Sequence, residues 1–177
     1  MTRRSHAGAA FLIALLIPLA QPAAALASPS ATGHPAESER VRGAGVSHPA
    51  NDDRRSLQVD AQSRTEAPGE ATGHVTFDHH SPAGLNHFTG TVSCLSVSGQ
   101  AGATTVTLSG RIEEGHTAAG APLAGKAYTF TLKSNSANSQ SFSLPTFEAR
   151  QAPVAPCAGS NKKQVPVTQG GFEIGAS

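Results

Sequence analysis

The sequence predicts an all-β fold, either a single antiparallel sandwich or a small closed barrel of about seven strands. Past Gly73, apolar residues recur at every second position in short runs, which is typical of half-buried strands. Gly, Pro, Ser and Asn separate these runs as turn residues, and no helical periodicity lies between them. The 18 Gly and 12 Pro among 177 residues also disfavour long helices and coiled coils.

The predicted strands are each marked by large apolar residues in alternation. They lie at 73–80, 87–97, 106–112, 126–133, 142–147, 165–167 and 172–174. Leu95 and Val97 fall on the face opposite Val92 and Cys94, so we expect a bulge near Cys94 or burial on both faces. Pro166 lacks a ladder donor, which predicts an edge strand or an irregular strand there. A closed sheet would leave no edge for other chains to pair with.

The first 27 residues predict export from the cell. Arg3 and Arg4 precede an apolar run at 7–20, and Ala25-Leu26-Ala27 is a small-residue cleavage site, so 1–27 is expected to be a signal peptide. The apolar run is shorter than the roughly 20 residues that a membrane span takes, and Pro18 interrupts it. We therefore expect the mature protein to be secreted and extracellular, with no membrane attachment after cleavage.

Residues 28–72 are predicted to be a disordered linker in front of a β-domain at 73–177. So few apolar side chains occur in this stretch that they cannot bury enough surface to offset the entropy of ordering it. It has no aromatic residue, and its large apolar residues are Val41, Val46, Leu57 and Val59.

The cysteines Cys94 and Cys157 predict one disulfide. An even number of cysteines in a protein of an oxidising compartment most directly predicts disulfide pairing. This bridge would close a loop of about 64 residues, which the chain-entropy model values at roughly 4 kcal/mol. The alternative is a catalytic thiol, which needs a neighbouring base, and the linear sequence shows none.

A histidine cluster is the candidate functional site. His74, Asp78 and His80 share one face of an extended strand but span too great a length to hold one ion together. His79, His80 and His87 lie around the next turn, so we expect this trio, with Asp78 in support, to form any metal site. Imidazole and carboxylate ligands suit zinc or copper. The alternative is a polar, solvent-facing side of an edge strand without a metal.

Signatures of enzymes and of nucleic-acid binding are absent from the sequence. It contains no Gly-x-Ser-x-Gly elbow, no His-Glu-x-x-His and no phosphate-binding glycine loop before a helix. Glu113 and Glu114 are adjacent and would point to opposite faces of a strand, so a glycosidase pair is not supported. A net charge of +1 and a single Tyr do not predict a basic groove with interleaved aromatic residues. We expect no catalytic residues and no nucleic-acid partner.

Five short motifs occur in a set order along the predicted domain. They are Gly73-His74-Val75-Thr76-Phe77, Gly90-Thr91-Val92-Ser93-Cys94-Leu95-Ser96-Val97-Ser98-Gly99, Ser109-Gly110-Arg111-Ile112, Tyr128-Thr129-Phe130 and Ser141-Phe142-Ser143. In this order they resemble the uncharacterised small secreted bacterial β-domain proteins of the post-COAP type. The resemblance covers most of 73–177 and implies a β fold and secretion, but no activity.

The sequence thus favours a secreted, non-enzymatic β-domain that acts as a binding or structural module stabilised by one disulfide. Its expected partner is an unknown extracellular protein or surface ligand, and no cofactor is expected. The alternative is an extracellular zinc-binding or copper-binding protein that uses the histidine cluster.

Overall fold

The computed structural model describes residues 38–49, 52–64, 67–100, 102–135, 139–149, 157 and 159–176. The predicted signal peptide at 1–27 lies outside these residues. The described part of the chain contains ten β-strands and no helix. The strands are β1 (Glu39–Ser47), β2 (Arg54–Arg64), β3 (Ala67–Ser81), β4 (Gly84–Gln100), β5 (Ala103–His116), β6 (Ala127–Asn135), β7 (Gln140–Ser143), β8 (Thr146–Phe147), β9 (Gln164–Pro166) and β10 (Gln169–Ala176).

The strands form a single sheet in which every described pair is antiparallel. The order is β10-β1-β2-β3-β4-β5-β6-β7-β9, and the short β8 also pairs with β6. Of the two predicted architectures, the sandwich is therefore wrong, because there is one sheet rather than two stacked face to face. The all-β, antiparallel class is confirmed.

The two ends of this sheet meet in one stretch of chain. Strands β9 and β10 stand at opposite ends of the order, yet only Val167 and Thr168 separate them in the sequence. The segment from β9 to β10 therefore borders β7 with its first part and β1 with its second. The Val167 N–H donates to the Gln140 carbonyl at 2.8 Å, and the Thr168 N–H donates to the Val46 carbonyl at 2.7 Å. The sheet thus curls into a half-barrel whose two ends are joined by this segment.

A side chain completes the seam between β7 and β10. The Gln140 amide donates from Nε2 to the Phe172 carbonyl at 2.7 Å, and its Oε1 accepts from the Phe172 N–H at 2.7 Å. The NH₂ group and the carbonyl oxygen of this amide thus replace the backbone partners that a neighbouring strand would offer to Phe172. Across the interior, the Glu39 carboxylate of β1 accepts from the Val97 N–H of β4 at 3.0 Å, although three steps separate these strands in the sheet.

The prediction of a disordered linker at 28–72 is wrong for its described part, because β1, β2 and the start of β3 lie there. Val41, Leu57 and Val59 are almost completely buried in the core, and Ala61 is buried beside them. The apolar residues of this stretch alternate with period two on a sheet that the rest of the chain already forms. A count of large side chains alone therefore underestimates the surface that the stretch buries.

The seven strands predicted between 73 and 174 correspond to β3, β4, β5, β6, β7 together with β8, β9 and β10. The structure has ten strands rather than seven for two reasons. β1 and β2 lie before residue 73, and Leu144 and Pro145 divide one predicted strand into β7 and β8. The bulge predicted near Cys94 is present, since the register with β5 shifts between Val92 and Cys94. The strand that contains Pro166 is β9, which stands at one end of the strand order, so the predicted edge strand is confirmed.

The core fills the inside of the curled sheet, and large aromatic rings occupy its centre. Phe77, Phe88, Tyr128 and Phe130 contact one another with ring centroids 5.5 to 6.1 Å apart. The Tyr128 hydroxyl donates to the Thr91 carbonyl at 2.9 Å. Burial, together with the charge of Glu113, raises the pKa of Tyr128 above its usual range. The phenol is therefore a fixed, neutral donor in the core.

The predicted disulfide between Cys94 and Cys157 is present and lies against the outer face of the sheet. Cys94 stands opposite Ser109, and Ser109 is completely buried although it points away from the core. The segment after Cys157 continues over this face, where the Thr131 hydroxyl donates to the Ser160 carbonyl at 3.2 Å. A Cβ on Gly159 would lie 2.8 Å from the Thr131 hydroxyl, so the segment packs closely. The disulfide thus holds the segment around Gly159 and Ser160 against the middle of the outer face.

A chain that begins at Gly73, the predicted start of the domain, is expected not to fold. It lacks β1 and β2, so β3 and β10 each lose a neighbour and the core loses Val41, Leu57 and Val59. Amide dispersion in a two-dimensional NMR spectrum and a cooperative thermal transition are the measurements. A chain that begins at Ser28 is the control and is expected to show both. Native dispersion in the shorter chain would contradict the placement of β1 and β2.

Replacing Gln140 by Ala is expected to lower the free energy of unfolding by about 1 to 3 kcal/mol, because two backbone groups of Phe172 lose their partners. Gln58→Ala is the matched control, since Gln58 is exposed on β2, and is expected to change stability by less than about 0.5 kcal/mol. Guanidinium unfolding measures both variants. Equal midpoints for the two would show that the Gln140 side chain does not help to join the two ends of the sheet.

The double variant Cys94→Ala, Cys157→Ala is expected to lose about 4 kcal/mol of unfolding free energy, the value for opening a loop of this length. Denaturant unfolding of this variant is compared with that of the oxidised protein, and with the protein under a reducing agent. The reduced protein and the variant are expected to agree. An unchanged midpoint in the variant would mean that the segment after Cys157 stays packed on the outer face without the disulfide.

Candidate functional site

One end of the sheet carries polar residues on its inner face, where the other inward positions are mostly apolar. Ser47 lies opposite Arg55, Arg55 lies opposite His79, and His79 lies opposite Asn86 on four consecutive strands. Each is two positions from a buried residue of its own strand, and side chains at that spacing share a face. We call these four residues the inner polar row.

An ion pair anchors the middle of the inner polar row. Asp53, just before β2, accepts from the Arg55 guanidinium at Nη2, and it bonds to His79 Nε2 at 2.9 Å. The Arg55 and Asp53 side chains are only 11% and 21% exposed. A buried charge without a partner is costly, so this pairing makes an arginine tolerable at an inward position. The carboxylate also fixes the orientation of the imidazole.

Two polar atoms of the row are buried without a hydrogen-bond partner among the described residues, and they are Ser47 Oγ and Arg55 Nε. Most buried polar groups in folded proteins have partners, and an exception asks for an explanation. Asn86 Oδ1 accepts from the Ala118 N–H at 2.9 Å, which leaves the two Nδ2 hydrogens to donate. The row therefore has unused hydrogen-bonding capacity, and most of it is donor capacity.

A small recess opens beside this row. Its volume is about 190 Å³. Its polar residues are His79 and Asn86, and the Phe147 ring at its rim is 40% exposed, the one large apolar residue so exposed in the described chain. The other walls are apolar and come from Phe77, Phe88, Leu123, Leu144 and Pro145.

The outer face of the same strands carries a second row. Ser56 lies opposite Asp78, Asp78 lies opposite His87, and His87 lies opposite His116. Asp78 Oδ1 is 2.7 Å from His87 Nδ1, and the His87 and His116 ring centroids are 6.3 Å apart. We call these four residues the outer polar row. Its side chains are partly or fully exposed.

The structure does not bring together the trio predicted to hold a metal ion. His79 faces inward and bonds to Asp53, whereas its neighbour His80 faces outward and is exposed. Of the predicted set, His87 and Asp78 are joined by a hydrogen bond. Among the residues the structure describes, no group of three or more His, Cys, Asp or Glu side chains is arranged to hold a metal ion. The alternation along β3 explains the separation, because consecutive residues point to opposite faces.

Sequence reasoning missed most of the inner polar row. Ser47 and Arg55, together with the Asp53 that pairs with Arg55, fall in the stretch predicted to be a linker. The signal was present in the period-two alternation of Leu57 and Val59, which places Arg55 on the inner face. Asn86 carries no signal of its own, since its role depends on the pairing of β3 with β4.

Comparisons with known proteins yield no relative. No family model, no curated protein and no solved structure matches this chain significantly. The resemblance to post-COAP-type proteins therefore stays a prediction. Over the described ranges, no helical segment has the length and hydropathy needed to cross a membrane.

Proposed function

We propose that this chain is a secreted, non-enzymatic binding module whose recess takes a small apolar ring that carries an oxygen acceptor. The observation that carries the proposal is an apolar recess at one end of the curled sheet whose two polar residues, His79 and Asn86, belong to the inner polar row. Small-molecule sites combine apolar walls with a few placed polar groups in this way, and the mouth of a barrel is one of their usual places.

The size of the recess limits the ligand to about one ring. An apolar cavity of about 150 Å³ binds benzene, and drug-sized ligands use pockets of about 300 to 1,000 Å³. The recess, at about 190 Å³, fits a single substituted ring. The rings of Phe77, Phe88 and Phe147 line it, so an aromatic ligand gains edge or face contacts beyond the area it buries.

The polar side of the recess favours an acceptor on the ligand. Asn86 lines the recess and has two amide hydrogens to donate. The positive charge of Arg55 is already balanced by Asp53. A neutral carbonyl or hydroxyl oxygen therefore fits as well as a carboxylate does, because no net charge in the row demands an anion.

Secretion and the absence of catalysis rest on separate observations. The signal-peptide pattern at 1–27 supports export, and the Cys94–Cys157 disulfide is typical of an oxidising compartment. The eight residues that line the recess include no Ser, Thr, Cys or Lys. A ligand there meets one imidazole and one amide, with no hydroxyl, thiol or amine beside them, which supports binding rather than turnover.

Benzamide and toluene test the site, because they share a ring and differ in the oxygen acceptor. Ligand-observed NMR titrations are expected to show saturable binding of both, with benzamide bound more tightly. Asn86→Leu is expected to weaken benzamide binding about tenfold, the value of one hydrogen bond, and to leave toluene binding unchanged. Phe147→Ala is expected to weaken the binding of both probes, because it removes a wall of the recess.

His80→Ala is the matched control, since His80 lies near the same sheet end but points outward and is exposed. It is expected to bind both probes as the unmodified protein does. Thermal unfolding of each variant confirms that the fold is kept. Failure of both probes to saturate, or equal binding by the Phe147→Ala variant, would overturn the proposal.

A further inference from the structure

Two histidines on the outer polar row face each other across neighbouring strands. His87 of β4 and His116 of β5 are directly paired, and their ring centroids are 6.3 Å apart. Both side chains are accessible, since His116 is exposed and the His87 side chain is 31% exposed. Directly opposite residues of an antiparallel pair are near enough for their side chains to share a contact.

The δ nitrogen of each imidazole is occupied by an oxygen. His87 Nδ1 is 2.7 Å from Asp78 Oδ1, and His116 Nδ1 is 3.1 Å from the Thr117 carbonyl. A carbonyl and an ionised carboxylate only accept hydrogen bonds, so Nδ1 carries the hydrogen in both rings. In the neutral imidazole the lone pair then lies on Nε2, which is the atom that binds a metal. Histidine ligands in metalloproteins are typically held in this way by a second oxygen partner.

The spacing of the rings suits one shared ion. With metal–nitrogen distances of about 2.0 to 2.1 Å, two imidazoles on one ion place their ring centres about 5 to 6 Å apart. The observed separation of 6.3 Å is slightly longer than that range, so the two accessible rings must move closer to share an ion. Glu114 lies two positions before His116 on the same face of β5 and is exposed, and its negative charge favours a cation there.

We propose that His87 and His116 bind one divalent transition-metal ion through their ε nitrogens, with Asp78 as a positioning residue and water in the remaining positions. Copper(II) is expected to bind more tightly than zinc, following the usual order of affinities at nitrogen ligands. The ring geometry at this pair, rather than the separated trio around His79, supports the site. The site lies on the outer face and is independent of the recess.

Calorimetric titration of the untagged, mature chain with Cu²⁺ tests the proposal. The unmodified protein is expected to bind one equivalent of Cu²⁺. His87→Gln and His116→Gln are each expected to lose this equivalent, although each keeps a polar side chain at an accessible position. Asp78→Asn is expected to weaken this equivalent about 10-fold to 100-fold, the usual effect of removing such a partner. Electron paramagnetic resonance of the bound copper is expected to show coupling to two imidazole nitrogens.

His80→Gln is the matched control, because His80 is exposed on the same outer face of β3 but faces Leu85 and Arg54 rather than a histidine. It is expected to keep the full stoichiometry. Copper that all variants bind equally is adventitious, and binding of this kind alone would overturn the proposal. An equivalent that survives in His116→Gln, that is lost in His80→Gln, or that the unmodified protein never binds would overturn the proposal.

Discussion

The curl of the single sheet, whose two ends are joined by the segment from β9 to β10, is the constraint on which the other features of this structure depend. The segment from β9 to β10 must pair with β7 and then, after two residues, with β1. Where this segment passes from β7 to β1, it cannot pair with both strands along its whole length. The side-chain amide of Gln140 in β7 therefore supplies two hydrogen bonds to the backbone of Phe172 in β10. Because the sheet curls, it has an inner and an outer face, and the two polar rows lie on opposite faces of the same strands.

Curvature of this kind also decides which residues the interior can hold. At Gly43 and Gly73 the backbone has φ of +143° and +152°, and an added Cβ would lie 2.2 Å from a carbonyl oxygen of the adjacent strand. Side chains are excluded at these two bends, which lets the neighbouring strands approach closely. Large rings such as Phe88 and Phe130 then fill the middle, so free space is left where the aromatic packing ends, next to His79 and Asn86.

The sequence predicts the part of the fold in which large apolar residues mark each strand, from β3 to β10, as well as the disulfide and the bulge beside Cys94. It does not predict β1 and β2, because few large residues mark their inward positions, namely Val41, Leu57 and Val59. Gly43, Gly45 and Ala61 take other inward positions and add little hydrophobic signal. The sequence also does not predict the inner and outer polar rows. Periodicity gives the face of a residue, but only the register between strands shows that Arg55 meets His79 and that His87 meets His116.

The β3–β4 hairpin explains how one short stretch can supply both faces. Asp78 and His79 are consecutive, so the first joins the outer row and the second joins the inner row. The burial of Val75 and Phe77 fixes this assignment. A slip of one residue would turn Asp78 and His80 into the core, where their polar groups would lose their solvation without gaining partners. The energy that holds the aromatic core in register therefore also holds each candidate ligand-binding group on its own side of the sheet.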